Sequence, residues 1–134
     1  MNNRFLNYRE SLKRLQAVLE QRKIHIAYDF DDTIYPLYSH NDNCEKVIEL
    51  LKLWRPHAYF ILFTHRRSEL IGDALYFIKT NDIPLDEVNE NKKAFDFYTS
   101  DSPKPYFDIL LDDKAGLGET YSLLFDLGKN NSIF

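Results

Sequence analysis

The strongest constraint on the fold is an alternation between short apolar segments and longer amphipathic ones. Residues 24–28, 58–64 and 106–111 are apolar runs too short for helices, and a weaker run lies at residues 85–88. Buried strands that alternate with amphipathic helices are typical of a parallel sheet covered on both faces. The sequence therefore predicts an α/β protein, a three-layer Rossmann-like parallel sheet flanked by helices.

The segments around these runs have apolar residues at helical spacing. Asp42 is a candidate N-cap for one of them, with Glu45 three residues later, and Ser68 is a candidate N-cap for the next. The expected helices cover residues 4–21, Asp42 to Pro56, Ser68 to Ile78, 94–98 and 118–127. The last residues, 128–134, are expected to fray or to add a short edge strand.

The size and composition of the chain favour one domain, residues 1–134. Hydrophobic residues make up 44% of the 134 residues, which is enough for one core. The single cysteine, Cys44, excludes an intrachain disulfide and favours a reducing compartment. No apolar run approaches the ~20 residues that span a bilayer, and the N-terminus lacks the apolar centre of a signal peptide. We therefore expect a cytoplasmic protein with no membrane partner.

The net charge of −4 is unevenly distributed along the chain. Residues 1–23 hold six basic groups and two acidic ones, whereas the remainder holds 11 basic and 19 acidic groups. The first helix is therefore expected to be amphipathic and basic, ahead of an acidic remainder. Such a basic face is usually solvated, and the alternative is a contact with nucleic acid.

Acidic side chains follow the first and last expected strands, at the sheet edge where ligands bind in such folds. Asp29, Asp31 and Asp32 follow the first strand, and Asp112 and Asp113 follow the last. Carboxylate oxygens without thiols or paired histidines favour a hard divalent ion, and bound Mg²⁺ would offset the repulsion among them. The pattern predicts a magnesium site, in which Asp32 and Asp113 either take part or only tune the site or cap a helix.

Hydroxyl and cationic side chains follow the other two strands. Thr64 and Arg66 come after the second strand, and Lys92 and Lys93 come after the third. A carboxylate at this edge can attack phosphorus and form an aspartyl-phosphate, and a second carboxylate two residues on can give a proton to the leaving oxygen. A metal, a hydroxyl and a lysine would hold the remaining phosphate oxygens. These residue types together predict phosphoryl transfer.

The segments DFDDTI, ILFT and ILLDD, with a lysine before the last, resemble in order the four motifs of the haloacid dehalogenase (HAD) superfamily of phosphohydrolases. The resemblance covers residues 24–115 and is greatest to small capless HAD proteins of bacteria and phages. The segment LLDDK is similar to the deoxynucleotidase branch. The resemblance implies a Mg²⁺-dependent phosphatase with these roles: Asp29 as nucleophile, Asp31 as acid/base, Thr64 as phosphate ligand, and Asp29, the Asp31 carbonyl and Asp112 or Asp113 as metal ligands.

The lysine of the third motif has two candidate positions. Lys104 lies just ahead of the last motif, as the family pattern implies. A regular strand would place Lys104 at the far end of the sheet, roughly 20 Å from the site at ~3.3 Å per residue. Lys92 and Lys93 follow the third strand at the correct end. Arg66 also has two interpretations, as a ligand of the substrate phosphate or as a solvated loop residue.

The spacing of the motifs leaves no room for a lid domain. Only a loop and one helix fit between Thr33 and Ala58, and no long insert follows Thr64. An open site suits a nucleotide or deoxynucleotide monophosphate held by the loop with Tyr35 and Tyr38, which either stack on a base or pack the loop. It also suits the phosphorylated end of a nucleic acid, which the basic helix would favour. A non-catalytic HAD-like binding module is the third alternative.

Overall fold

The computed structural model describes residues 3–38, 42–88 and 106–134. Four helices and four strands lie in these ranges, with one turn of 3₁₀ helix before the second strand. In chain order they are α1 (Asn3–Leu19), β1 (Ile24–Tyr28), α2 (Asn43–Leu53), the 3₁₀ turn (Arg55–His57), β2 (Ala58–Leu62), α3 (Glu69–Thr80), β3 (Glu87–Val88), β4 (Ile109–Leu111) and α4 (Leu117–Asn130). The helix expected at residues 94–98 lies outside the described residues.

The four strands form one parallel sheet in the order β3-β2-β1-β4. Four helices flank the sheet, so the predicted α/β Rossmann-like fold is confirmed. Tyr28 at the end of β1 pairs with Leu62 of β2 on one side and with Leu111 of β4 on the other. Three strands therefore end at the same level, and the residues that follow them meet at one edge.

The core is built around β1, whose five residues are all buried. Tyr28 and Trp54 are among the largest fully buried side chains, and each has a polar atom that finds a backbone partner. The Tyr28 hydroxyl donates to the carbonyl of Pro84 at 2.9 Å, and the Trp54 indole donates to that of Leu124 at 3.2 Å. Buried polar groups are satisfied in this way in stable cores. None of the helices in the described part of the chain has the length and apolar character to cross a membrane.

The start of β4 and the capping of two helices differ from the sequence expectation. The strand expected at residues 106–111 begins at Ile109, because the Asp108 carboxylate accepts the N–H of His25 at 2.8 Å in place of a backbone carbonyl. Asp42 and Ser68 precede their helices as expected, but neither side chain makes a capping hydrogen bond. Ser68 has a φ of 54°, so its backbone is not in the extended conformation that a capping serine adopts.

The C-terminal residues neither fray nor form a strand. Helix α4 continues to Asn130, and Ser132 then adopts a φ of 56°. The Ile133 N–H donates to the Gly128 carbonyl at 2.9 Å, which closes a Schellman turn. The Phe134 ring packs directly on Gly128, where a Cβ atom would lie only 2.1 Å from the ring. A side chain at this position of α4 would displace the Phe134 ring.

Candidate metal and phosphate site

Three carboxylates meet at the carboxyl edge of the sheet. Asp29 directly follows β1, and Asp112 and Asp113 directly follow β4. One carboxylate oxygen from each lies within 4.8 Å of the others. The pairing of β1 with β4 produces this arrangement, because the Asp29 N–H continues the ladder by donating to the Leu111 carbonyl at 2.9 Å. The sequence-predicted acids Asp29, Asp112 and Asp113 are thus brought together as one cluster, called here the carboxylate cluster.

The carboxylate cluster is electrostatically unfavourable as it stands. Burial, then the charge of Asp112, and to a smaller extent Asp113 together raise the pKa of Asp29 to about 7, against an opposing hydrogen bond from the Phe30 backbone. Among residues 7–38, 42–88 and 106–134, no lysine or arginine forms an ion pair with any of the three acids. A divalent cation would relieve the repulsion, and an all-oxygen donor set fits Mg²⁺.

Thr33, in the DFDDTI segment, is hydrogen-bonded to Asp113, in the ILLDD segment. This fully buried side chain accepts the N–H of Asp113 at 3.0 Å, and its hydroxyl also lies 3.5 Å from Asp113 Oδ1. The Asp112 carboxylate is fixed locally by the N–H of Lys114 at 2.9 Å. Sequence reasoning assigned Thr33 no role of its own. Its signal was its place in the Asp-x-Asp-x-Thr pattern, and the structure shows that it positions an acid contributed by another strand.

Asp31 and Arg66, expected to act separately, bind each other. The guanidinium donates from Nη2 to Asp31 Oδ1 at 2.7 Å and from Nε to Oδ2 at 3.1 Å, a two-point ion pair. It also lies over the rings of Phe30 and Tyr35, at 4.6 and 5.6 Å from their centroids. Hydrogen bonding to Asp31 raises the pKa of Arg66. The solvated-loop interpretation of Arg66 is therefore wrong, and Asp31 does not belong to the carboxylate cluster.

Thr64 lies two residues beyond the end of β2 and is buried. Its hydroxyl oxygen accepts the N–H of Arg66 at 3.1 Å, which shapes the loop that carries the guanidinium. His65, between them, is exposed. Thr64 therefore follows the strand next to that of Asp29, at the edge expected of a phosphate ligand, and its hydroxyl contacts the Arg66 backbone.

The loop after β1 is organised by Asp32. This residue has a φ of 62°, and its carboxylate accepts the N–H groups of Leu37 and Tyr38 at 3.0 and 2.8 Å. Tyr35 stacks on Phe30 with ring centroids 5.2 Å apart, so it packs the loop rather than facing a ligand. Tyr38 is 84% exposed. Of the two tyrosines considered for base stacking, only Tyr38 is placed to contact a ligand.

A cavity of about 660 Å³ opens beside the carboxylate cluster, between α2 and α4. Asp113 belongs both to the cluster and to the cavity wall. Asn43, Lys46 and Tyr121 are also in the wall. Sequence reasoning assigned none of these last three residues to a site, because helical spacing does not show which polar positions of two separate helices face one another.

Other predicted residues lie elsewhere. Lys92, Lys93 and Lys104 are outside the described residues. Arg14 and Arg22 of the basic N-terminal segment bind Asp108, just ahead of β4 at the opposite end of the sheet. These two cations are therefore engaged in holding the sheet together, far from the carboxylate cluster.

The geometry defines an α/β protein with a Rossmann-like parallel sheet and a carboxylate cluster at its carboxyl edge. No protein-family model matches the sequence. No curated protein matches it either. The solved structure of a conserved protein from Bacteroides thetaiotaomicron is similar, with a TM-score of 0.60 and 22% sequence identity, and the match covers 82% of this chain and 93% of that one. At this identity the likeness supports the fold alone.

Proposed function

We propose that this protein is a Mg²⁺-dependent phosphohydrolase of the HAD type, which cleaves a nucleotide or deoxynucleotide monophosphate through an aspartyl-phosphate intermediate. The observation that carries the proposal is the carboxylate cluster, with oxygens of Asp29, Asp112 and Asp113 within 4.8 Å of one another. An arrangement that raises the pKa of Asp29 to about 7, with no lysine or arginine paired to it among the residues whose side chains the structure describes, suits ligand binding better than stability. The order of motifs along the chain supports the reaction class.

The three acids would hold Mg²⁺, which supplies positive charge against the phosphate oxygens and the repelling carboxylates. Asp29 then attacks phosphorus, and the bond from phosphorus to the ester oxygen breaks. Asp31 gives its proton to that leaving oxygen. In the second half, Asp31 takes a proton from water as the water oxygen attacks the aspartyl-phosphate. Inorganic phosphate leaves, and Asp29 is regenerated.

The Asp31–Arg66 ion pair adds a condition to the proposed order of reaction steps. Asp31 can protonate a leaving oxygen only after its carboxylate separates from the guanidinium that holds it at 2.7 and 3.1 Å and takes up a proton from solvent. An incoming phosphate dianion offers Arg66 an alternative partner of the same geometry. Exchange of Arg66 from Asp31 to phosphate would therefore serve both proposed roles, phosphate binding and release of the acid/base.

The test is a Mg²⁺-dependent phosphatase assay over nucleotides, sugar phosphates and phosphorylated DNA ends, with excess chelator as the control. Asp31→Asn should allow phosphoryl transfer from nitrophenyl phosphate, whose leaving group needs little proton donation. It should then stall, since the same residue activates water. Mass spectrometry of the quenched variant should find one phosphate on Asp29. Steady turnover in chelator, or turnover by Asp31→Asn with no trapped adduct, would contradict the mechanism.

The two other functions considered from the sequence receive less support. A nucleic-acid end as substrate depended on the basic N-terminal segment, and two of its arginines are bound to Asp108. A non-catalytic binding module would bind phosphorylated ligands without turnover. The same assay distinguishes all three, because it includes DNA ends and because binding without product identifies a module.

A further inference from the structure

The proposed chemistry does not use the cavity between α2 and α4. Its volume of about 660 Å³ is within the usual range for small-molecule sites. Because Asp113 lines it and also belongs to the carboxylate cluster, a phosphoester bound at the cluster has this space next to it.

The walls of this cavity combine a flat apolar surface with polar groups. Val47 and Leu117 are apolar, and the ring of Tyr121 stacks on Phe125 with centroids 6.3 Å apart at 14°, which fixes its orientation. A fixed aromatic ring is a platform on which a planar heterocycle can stack. Tyr38 also lines the cavity and is exposed, on the loop that Asp32 holds by two hydrogen bonds.

Lys46 gives the cavity a cation. It is exposed and forms no ion pair with any residue whose side chain the structure describes, although Asp32 and Asp113 line the same space. The first turns of α2 and α4 also face the cavity through Asn43 and Gly118, and their helix dipoles add partial positive charge. Hydrogen-bond acceptors of a ligand are therefore favoured beside an apolar platform.

We propose that this cavity binds the nucleoside part of the substrate, with Tyr121 as the stacking platform and Lys46 as a donor to acceptor atoms of the sugar or base. The proposal rests on the proposed function, because it assigns the leaving group of that same reaction. Tyr121 and Lys46 are then specificity-determining residues, which contact the leaving group and take no part in bond cleavage.

The experiment compares nucleoside monophosphates with acetyl phosphate, which has no ring and does not need the cavity. Tyr121→Leu should raise KM for nucleoside monophosphates about tenfold, since stacking on an aromatic side chain contributes ~1–3 kcal/mol per base. Tyr121→Phe should retain the wild-type KM. Lys46→Met should raise KM for the nucleotides by a similar factor. None of these variants should change kcat/KM for acetyl phosphate.

Matched controls separate a local effect from a general one. Tyr76→Leu removes another exposed tyrosine, and Lys79→Met removes another exposed lysine, both from α3. Both should behave as wild type on both substrates. If Lys46→Met lowers kcat/KM for acetyl phosphate by the same factor as for the nucleotides, Lys46 binds phosphate and its proposed role is overturned. If nucleotide kinetics are unchanged in Tyr121→Leu and Lys46→Met, the cavity assignment is wrong while the phosphatase function stands.

Direct titration with nucleoside monophosphates in Mg²⁺ tests whether the cavity binds nucleotides when the protein shows no turnover. Binding that Tyr121→Leu weakens about tenfold, without any turnover by the wild type, would support the cavity assignment and remove the proposed enzymatic function. No binding of nucleotides to the wild-type chain would overturn the cavity assignment. Melting curves of each variant show whether a change in binding reflects loss of folded protein.

Discussion

Two aspartates stand at opposite ends of the β1–β4 pair and have opposite surroundings. Asp108, at the amino end, accepts from both terminal nitrogens of Arg22 at 2.8 and 2.9 Å, from the Tyr106 hydroxyl at 2.7 Å and from the His25 N–H at 2.8 Å. Burial alone would raise the pKa of Asp108, but these hydrogen bonds hold it below its ordinary value.

Asp29, at the carboxyl end, has carboxylates for neighbours, and its pKa is raised to about 7 by burial and by Asp112. Asp108 accepts hydrogen bonds from three residues and stabilises the fold, whereas Asp29 faces two further carboxylates and destabilises it. The comparison teaches which acid to associate with structure and which with binding. A protein retains an unfavourable cluster of charges where a ligand offsets it.

The largest effect that would sharpen this contrast is on turnover. Asp29→Asn removes the attacking oxygen, so activity on the best nucleotide substrate should fall by at least ~10⁴-fold. The same change relieves repulsion within the cluster, so the metal-free variant should melt at a higher temperature than the wild type. Steady-state assays and thermal melts in chelator test both parts. Activity within tenfold of wild type would show that Asp29 is not the nucleophile.

The second effect concerns the ion that the cluster is proposed to hold. Mg²⁺ at 100 times its Kd should stabilise the wild-type protein by about 2.7 kcal/mol, because it binds the folded state only. Asp113→Asn should lose most of this gain, while Asp108→Asn should keep it in full. Thermal melts with and without Mg²⁺ give the comparison. An equal response from all three proteins would place the ion away from the carboxylate cluster.

The third effect is the stability lost at the amino end. Asp108→Asn removes charge from four hydrogen bonds and leaves Arg22 without its partner carboxylate, which should cost about 2 kcal/mol. The exposed pair of Arg55 and Asp82 provides the control, and Asp82→Asn should cost less than about 1 kcal/mol. Urea unfolding measures both. A smaller loss at Asp108 than at Asp82 would contradict the assignment of Asp108 as a structural acid.

The smallest effect is a pH dependence at the same residue. The pKa of Asp108 is depressed in the folded state, so its stabilising contribution is complete above the unfolded value of about 4. That contribution is lost as the pH falls below about 4 through the folded-state pKa. The difference in melting temperature between wild type and Asp108→Asn should therefore be full at about pH 6 and should narrow steadily below about pH 4. If this difference in melting temperature widened as the pH fell, the pKa of Asp108 would not be depressed in the folded state.

Much of this architecture could be predicted from the sequence, because it depends on periodicity. The apolar run at residues 24–28 coincides with β1, and the alternation of strands and helices fixes a parallel sheet. Parallel strands bring their following residues to one edge, so the meeting of Asp29 with Asp112 and Asp113 follows from the pattern. Their proposed roles as nucleophile and metal ligands stay predictions.

The remaining features of the fold and the site depend on tertiary contacts, which a pattern along the sequence does not show. A guanidinium can bind a phosphate or a carboxylate equally well, so nothing in the sequence shows that Arg66 takes Asp31. Strand β4 is shortened because the Asp108 side chain replaces a backbone acceptor for the His25 N–H. Strand propensities do not predict such a side-chain contact. The cavity lies between helices whose relative placement is fixed only by tertiary packing.

The position of β1 in the middle of the sheet has a consequence for how the chain is made. β1 is synthesised early, yet its partner β4 comes only after residue 108, and the contacts of Tyr8 with Asp126 and of Gln16 with Asn131 span 118 and 115 residues. A ribosome must therefore release the residues up to Asn131 before α1 and β1 find these neighbours. Until then one edge of β1 is open to pairing with another nascent chain. Folding should accordingly wait for the last helix, and it should be slow for a chain of this size.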